Sequence, residues 1–305
     1  MPTRRTALTW LTGCLALAAA SLPASAQGAD RLKVVATFSI LGDMVRNVGG
    51  ERVEVTTLVG PNGDAHVYAP TPADGRRLTE AKVVFTNGLK FEGWIDRLVK
   101  SSGTKAAKIE AAKGVNPLKG EDHGHGHSHG GDDPHAWQSI ANARIYVANI
   151  RDALIAADAA GRSAYEANAA SYLKQLDALE AEVKSLVAGI PADRRRIITS
   201  HDAFRYFEAA YGIDFVSPQG VSTEAEASAK DVARIIQQIR REKIAAVFVE
   251  NVSDARLMER IAKETGARIG ARVYSDALSE ANGPAGTYID MMRHNIRAFS
   301  AALSS

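Results

Sequence analysis

Cysteine is almost absent. The one thiol, Cys14, lies within the first 26 residues, so the chain beyond them has neither disulfides nor a thiolate metal site. Long apolar runs are equally scarce: the longest, residues 7–20, is too short to span a bilayer, and no later segment approaches about 20 uninterrupted apolar residues. Neither sign of charge is in excess. The 37 basic side chains include Arg4 and Arg5, which leaves 35 against 35 acidic ones after residue 26. Such a balance gives no electrostatic footprint for nucleic acid. An H-E-x-x-H helix, the mark of a large class of zinc hydrolases, is missing too.

What is present begins with an export signal. MPTRR, an apolar core and the small-residue run ending at Ala26 compose a signal peptide over residues 1–26. Thr3-Arg4-Arg5 leaves twin-arginine export open, and Leu11-Thr12-Gly13-Cys14 resembles a lipobox. The core continues past Cys14, which favours cleavage after Ala26 over a lipid anchor. Residues 121–135, EDHGHGHSHGGDDPH, then hold five of the eight histidines. Imidazole binds Zn, Cu, Ni and Fe, and alternating glycine leaves each ring free to swing toward an ion. The plain alternative is a polar loop with loose affinity.

The element order predicts an α/β fold of two similar lobes with parallel sheets, joined by a long rigid backbone helix. Residues 33–38, 53–59 and 82–87 read as strands and 40–48 and 72–80 as helices; after a helix at 140–157, short strands at 195–200, 215–217, 245–250 and 268–274 repeat the alternation. Between them Tyr165, Ala169, Tyr172, Leu176, Leu179, Val183 and Leu186 recur at steps of four and three, giving a helix over 163–188 about 39 Å long. A coiled-coil seam is the other reading of that stripe. The expected boundaries are 27–160 for the first lobe, 161–189 for the connector and 190–305 for the second lobe.

Four separated residues carry the chemistry. His66, His135, His201 and Asp276 each stand at a strand's end or a loop's start. Ligands of open α/β sheets bind outside the carboxyl ends of strands, so these residues are candidates to meet between the lobes. Three imidazoles and a carboxylate complete a tetrahedral zinc shell, and a closed shell serves binding rather than catalysis. Taken singly, a loop histidine is more often a surface residue.

The strings DAHVYAPTPAD, VVFTNGLKFEGWID, DPHAW, ITSHDAFRYFEAAYGI, VFVENVSDARLMERIAKETGARIG and GPAGTYIDMMRHNI resemble the periplasmic metal-binding solute-binding proteins of ABC importers, of the zinc-specific ZnuA and AztC type. The resemblance covers essentially all of the chain after the signal peptide. It implies a periplasmic, monomeric, non-enzymatic protein that carries an ion between two (β/α) lobes to a membrane permease. It assigns ligands to His66 in D-x-H-x-Y-x-P, His135 in D-P-H-x-W and His201 in T-x-H-D-A-F, with Asp276 as the C-terminal carboxylate. Relatives that look like manganese importers carry glutamate at the third position, so Zn2+ is expected over Mn2+, in keeping with three nitrogen donors. Histidine-rich loops occur in zinc members, which makes His123, His125, His127 and His129 an auxiliary collector and a periplasmic zinc metallochaperone a candidate partner.

Asp64, Asp133 and Asp202 lie within two residues of the histidines and are candidates to orient their rings, or to act as caps and turns. For Asp202 the cap reading is a helix over 203–211. Glu224, Glu226 and Glu250 are left open between site and cap, and His294 is read as packing or surface on the last helix. Affinity is expected to fall below about pH 6.5, the reference value for histidine. The rivals are a zinc-dependent hydrolase and a metal buffer that binds through the loop alone.

Overall fold

The computed structural model describes residues 31–120 and 131–304. The segment expected to be a signal peptide, residues 1–26, and the four histidines of the 121–130 tract lie outside the described residues.

The first lobe alternates strand and helix: β1 (Leu32–Phe38), α1 (Ser39–Gly49), β2 (Val53–Val59), α2 (Pro72–Glu80), β3 (Val83–Thr86), α3 (Ile95–Ser102) and β4 (Ala107–Glu110). All pairings are parallel, in the order β2-β1-β3-β4. A central parallel strand is covered on both faces, which is why Val34 to Phe38 form an unbroken buried run rather than an alternating one. Helix α2 starts where a Thr71–Asp74 capping box and Pro72 at the first turn favour it.

α4 (Ile140–Ala157) leads into α5 (Arg162–Ala188), 27 residues long, which packs on α1 and α4. Its inner face buries Tyr165, Ala169, Tyr172, Leu176, Leu179, Val183 and Val187. The sequence stripe ends on Leu186 instead; that side chain is only partly buried, because one more step of four brings Val187 onto the inward face.

The second lobe follows with β5 (Arg196–Ile198), α6 (Arg205–Tyr211), β6 (Asp214–Val216), α7 (Ala229–Glu242), β7 (Ala246–Val247), α8 (Ala255–Thr265), β8 (Arg268–Ile269) and α9 (Tyr288–Leu303). Its sheet is again parallel, ordered β6-β5-β7-β8, so both lobes share one topology. α9 returns to pack on α5. One apolar cluster runs from Val34 in the first lobe through Leu176 to Phe299 in the second.

Three features depart from expectation. α3 and β4 were not anticipated. β5, β7 and β8 are shorter than 195–200, 245–250 and 268–274; regular pairing stops at Ile198, Val247 and Ile269, and a lone bridge joins Glu250 to Val273. Gly270 lies between them against the Phe248 ring, where a Cβ would approach to 2.3 Å. α6 begins at Arg205 with Phe204 at the N-cap and no side-chain cap, so Asp202 does not open it; the chain first turns through an Ala203 N–H to His201 carbonyl bond of 3.0 Å.

Candidate metal centre

His66 comes from the loop after β2. Asp64 accepts its backbone N–H at 2.9 Å and takes the Thr223 hydroxyl from the other lobe at 2.6 Å. The Trp94 indole donates to the Ala65 carbonyl at 2.8 Å, and the His66 ring stands edge-on to Phe91 at 4.7 Å. His135 precedes a single 3-10 turn at Ala136–Gln138. Oδ1 of Asp133 accepts from both its backbone N–H, 2.9 Å, and its ring Nδ1, 2.8 Å. Upstream, the Asn87 amide and the Tyr206 hydroxyl donate to the carbonyls of Pro134 and Asp133 at 2.9 and 2.8 Å.

His201 lies three residues beyond β5 and Glu250 three beyond β7, on either side of the point where strand order reverses in the second sheet. Glu250 Oε1 accepts the backbone N–H groups of Ser200 and His201 at 2.7 and 2.9 Å, and Oε2 lies 2.5 Å from His201 Nδ1. Asp276 follows the Val273 bridge. The residue before it, Ser275, offers its carbonyl to Trp137 Nε1 and Gln138 Nε2 at 3.0 and 2.9 Å, so the turn after His135 grips the chain beside Asp276.

The four expected residues come together, with one donor atom from each inside a group no wider than 4.8 Å. His66 Nε2 is 3.3 Å from both His135 Nε2 and Asp276 Oδ2; His201 Nε2 is 3.1 Å from Asp276 Oδ2, and His135 Nε2 is 3.5 Å from Asp276 Oδ1. His135, His201 and Asp276 are fully buried, and His66 retains 7% exposure. Both Asp276 oxygens, both ring nitrogens of His201 and Glu250 Oε2 lack a hydrogen-bond partner: the contacts among them reach ion-pair distances without meeting hydrogen-bond geometry. Buried polar atoms facing one another without bonds are costly unless something sits among them.

Charge reinforces this. Burial works to lower the imidazole values, but Asp276 and Asp133 overcome it and hold His135 up to about 9; against the same burial, Glu250 and Asp276 hold His201 well above the usual histidine value. Burial would raise Asp276, yet His201 and His135 keep it well below the usual carboxylate range.

Of the proposed ring partners, Asp133 meets its histidine's Nδ1, whereas Asp64 engages the backbone of His66. At His201 the carboxylate on Nδ1 is Glu250, in the role the sequence reading offered to Asp202. Glu224 and Glu226 are exposed, and His294 on α9 faces the Arg272 carbonyl at 2.8 Å, away from the cluster. No local pattern marks Glu250, since 49 residues separate it from His201.

A family model described as zinc-uptake complex component A, periplasmic, matches residues 34–302. The chain belongs to this family. It is therefore an extracytoplasmic, metal-binding substrate-binding component of an ABC importer that works with a membrane permease and ATPase, and its family are solute-binding proteins, not enzymes. Among curated relatives, the manganese-binding lipoprotein MntA of Halalkalibacterium halodurans is 36% identical over 92% of this chain and 91% of its own. The manganese ABC transporter substrate-binding lipoprotein PsaA of Streptococcus pneumoniae is 32% identical over 94% of each. Among solved structures, the periplasmic zinc binding protein TroA of Treponema pallidum superposes with a TM-score of 0.84 at 29% identity, covering 90% of this chain and all of that one. A manganese-bound mutant of a periplasmic metal binding protein from Candidatus Liberibacter asiaticus reaches 0.82 at 30% identity over the same shares. Two parallel-sheet lobes and a long connecting helix are thus the family architecture. Among the described residues no helix is long and apolar enough to cross a membrane.

Proposed function

We propose that this protein captures Zn2+ between its lobes through His66, His135, His201 and Asp276 and delivers it to the importer's permease. The observation that carries this reading is the buried four-donor cluster. A tetrahedral ion about 2.0–2.1 Å from each ligand requires ligand-to-ligand edges of about 3.3 Å. The contacts of 3.1, 3.3, 3.3 and 3.5 Å bracket that figure. Three nitrogens and one oxygen suit zinc, and a closed shell has no position for a catalytic water.

Manganese is the second reading. Two relatives named for it favour it, as does the way both Asp276 oxygens face imidazole nitrogens, since a carboxylate binding through both adds the oxygen donor that manganese prefers. In the same proposal residues 27–160 and 190–305 act as the lobes and 161–189 as their connector. The export signal is cleaved after Ala26 rather than lipidated at Cys14, the protein acts as a monomer, and His123, His125, His127 and His129 collect zinc weakly from solution or from a metallochaperone.

Zinc and manganese stoichiometry and affinity, measured by chelator competition, test the scheme on the wild type, His201→Ala and a chain lacking residues 121–131. The expected result is one tight zinc ion, lost in His201→Ala and kept in the deletion, with manganese at least tenfold weaker. Several weak ions lost only with the deletion make the protein a histidine-tract buffer; tighter manganese overturns the choice of metal.

A further inference from the structure

We infer that Glu250 is a positioning residue for the metal centre, holding the two second-lobe ligands in register and fixing which nitrogen His201 presents. This rests on the reading of His201 and Asp276 as ligands. Glu250 is 0% exposed, and a carboxylate without solvent is costly unless its lone pairs are filled. Oε1 is filled by the backbone N–H groups of Ser200 and His201. A glutamine would serve those two donors through its amide oxygen without burying a charge. What a carboxylate adds is a second anionic acceptor, and Oε2 faces His201 Nδ1 at 2.5 Å.

The position in the fold gives that contact its effect. Glu250 pairs with Val273 in the one bridge that prolongs β7 beside the strand leading to Asp276, and the Asn251 N–H to Val273 carbonyl and Val273 N–H to Val249 carbonyl bonds, both 3.0 Å, lock that register. One residue thus ties the loop bearing His201, through its side chain, to the segment leading to Asp276, through its backbone pairing; the two donor atoms stand 3.1 Å apart. A proton on Nδ1, facing the Glu250 carboxylate at 2.5 Å, leaves the His201 lone pair on Nε2, pointing at Asp276. Asp133 does the same for His135 from the other lobe. An outer carboxylate of this kind orients the ring and raises its basicity.

Glu250→Gln tests the inference, because it preserves shape and the two backbone bonds while removing the anion. Zinc affinity by chelator competition, the visible spectrum of the Co2+-loaded protein, and the melting temperature of the metal-free protein are compared in wild type, Glu250→Gln and His201→Ala. The expected result for Glu250→Gln is one zinc ion bound about 10- to 100-fold more weakly, an altered cobalt spectrum and a metal-free protein that still unfolds in one cooperative transition. Unchanged affinity and spectrum overturn the inference. So does weaker binding that merely follows a lowered melting temperature with the cobalt spectrum intact. A wild type without a tight ion, or a His201→Ala variant that binds like wild type, defeats the underlying site reading instead. Nitrogen NMR of the zinc-loaded wild type supplies a check needing no variant: Nδ1 of His201 is expected protonated and Nε2 metal-bound, and the reverse overturns the inference.

Discussion

Three fully buried carboxylates, Asp133, Glu250 and Asp276, face three imidazoles at the candidate site. Protons and metal therefore compete for the same nitrogens. His135 is held up to about 9 and His201 well above its ordinary value, so these proton-bound histidines stabilise the metal-free fold below about pH 6.5, the unfolded reference. That stability is lost as pH rises through the folded values. Metal affinity has the opposite sign, since an ion must displace the protons: it is expected to rise as pH climbs from 6.5 to about 9. Chelator competition across pH 6 to 10 checks this, and an affinity flat between pH 7 and 9 sinks it. The sequence expectation of a threshold near 6.5 used isolated imidazoles, because the carboxylates that move it are distant in the chain. His66, His135, His201 and Asp276 were legible because each sits in a loop beside a distinctive local word. Glu250 was not, because its relation to His201 exists only after β5 and β7 lie side by side.

At the scale of elements, periodicity was readable wherever a helix has a long buried stripe. β2, α2 and α4 have the boundaries expected, and α5 differs by one residue at its start. β4 escaped because it is an edge strand whose residues are mostly exposed, so no apolar pattern marks it. β7 and β8 were overextended because a buried apolar run does not say where regular pairing ends. The α5 stripe supports a quantitative expectation. Leu176 is fully buried, and Leu176→Ala is expected to cost about 2–5 kcal/mol. At about 2–4 °C per kcal/mol for a chain approaching this size, the melting temperature falls by several degrees or more. Zinc stoichiometry should stay at that of the wild type, since no donor of the cluster lies on α5. Leu186→Ala, one position off the buried face, should cost clearly less. Equal losses at the two sites, measured by thermal unfolding, would contradict the helix register.

At the scale of the molecule, the lobes are not separate cores bridged by a tether. One apolar cluster includes Phe38 and Val84 of the first sheet, Leu176 and Leu179 of α5, and Phe207, Phe248 and Phe299 of the second lobe. Polar bonds cross beside the site as well: Tyr288 N–H to Asp43 and Leu278 N–H to Ser39, both 2.9 Å, and the Tyr288 hydroxyl to the Trp137 carbonyl at 2.6 Å. The second cluster, Ile198 with Val232, Ile235, Ile239, Met258 and Ile261, lies against the second sheet alone. Opening the lobes widely would expose part of the shared core, so the metal-free protein is expected to melt as one cooperative unit, with calorimetric and van't Hoff enthalpies in agreement. An ion binding only the folded state adds about 2.7 kcal/mol at one hundred times its dissociation constant. Zinc should therefore move that single transition upward without splitting it, and chelator should restore it. Scanning calorimetry decides: two resolved transitions in the metal-free protein would mean that the second lobe's own cluster suffices to fold it apart, and that α5 couples the lobes less tightly than their shared packing requires.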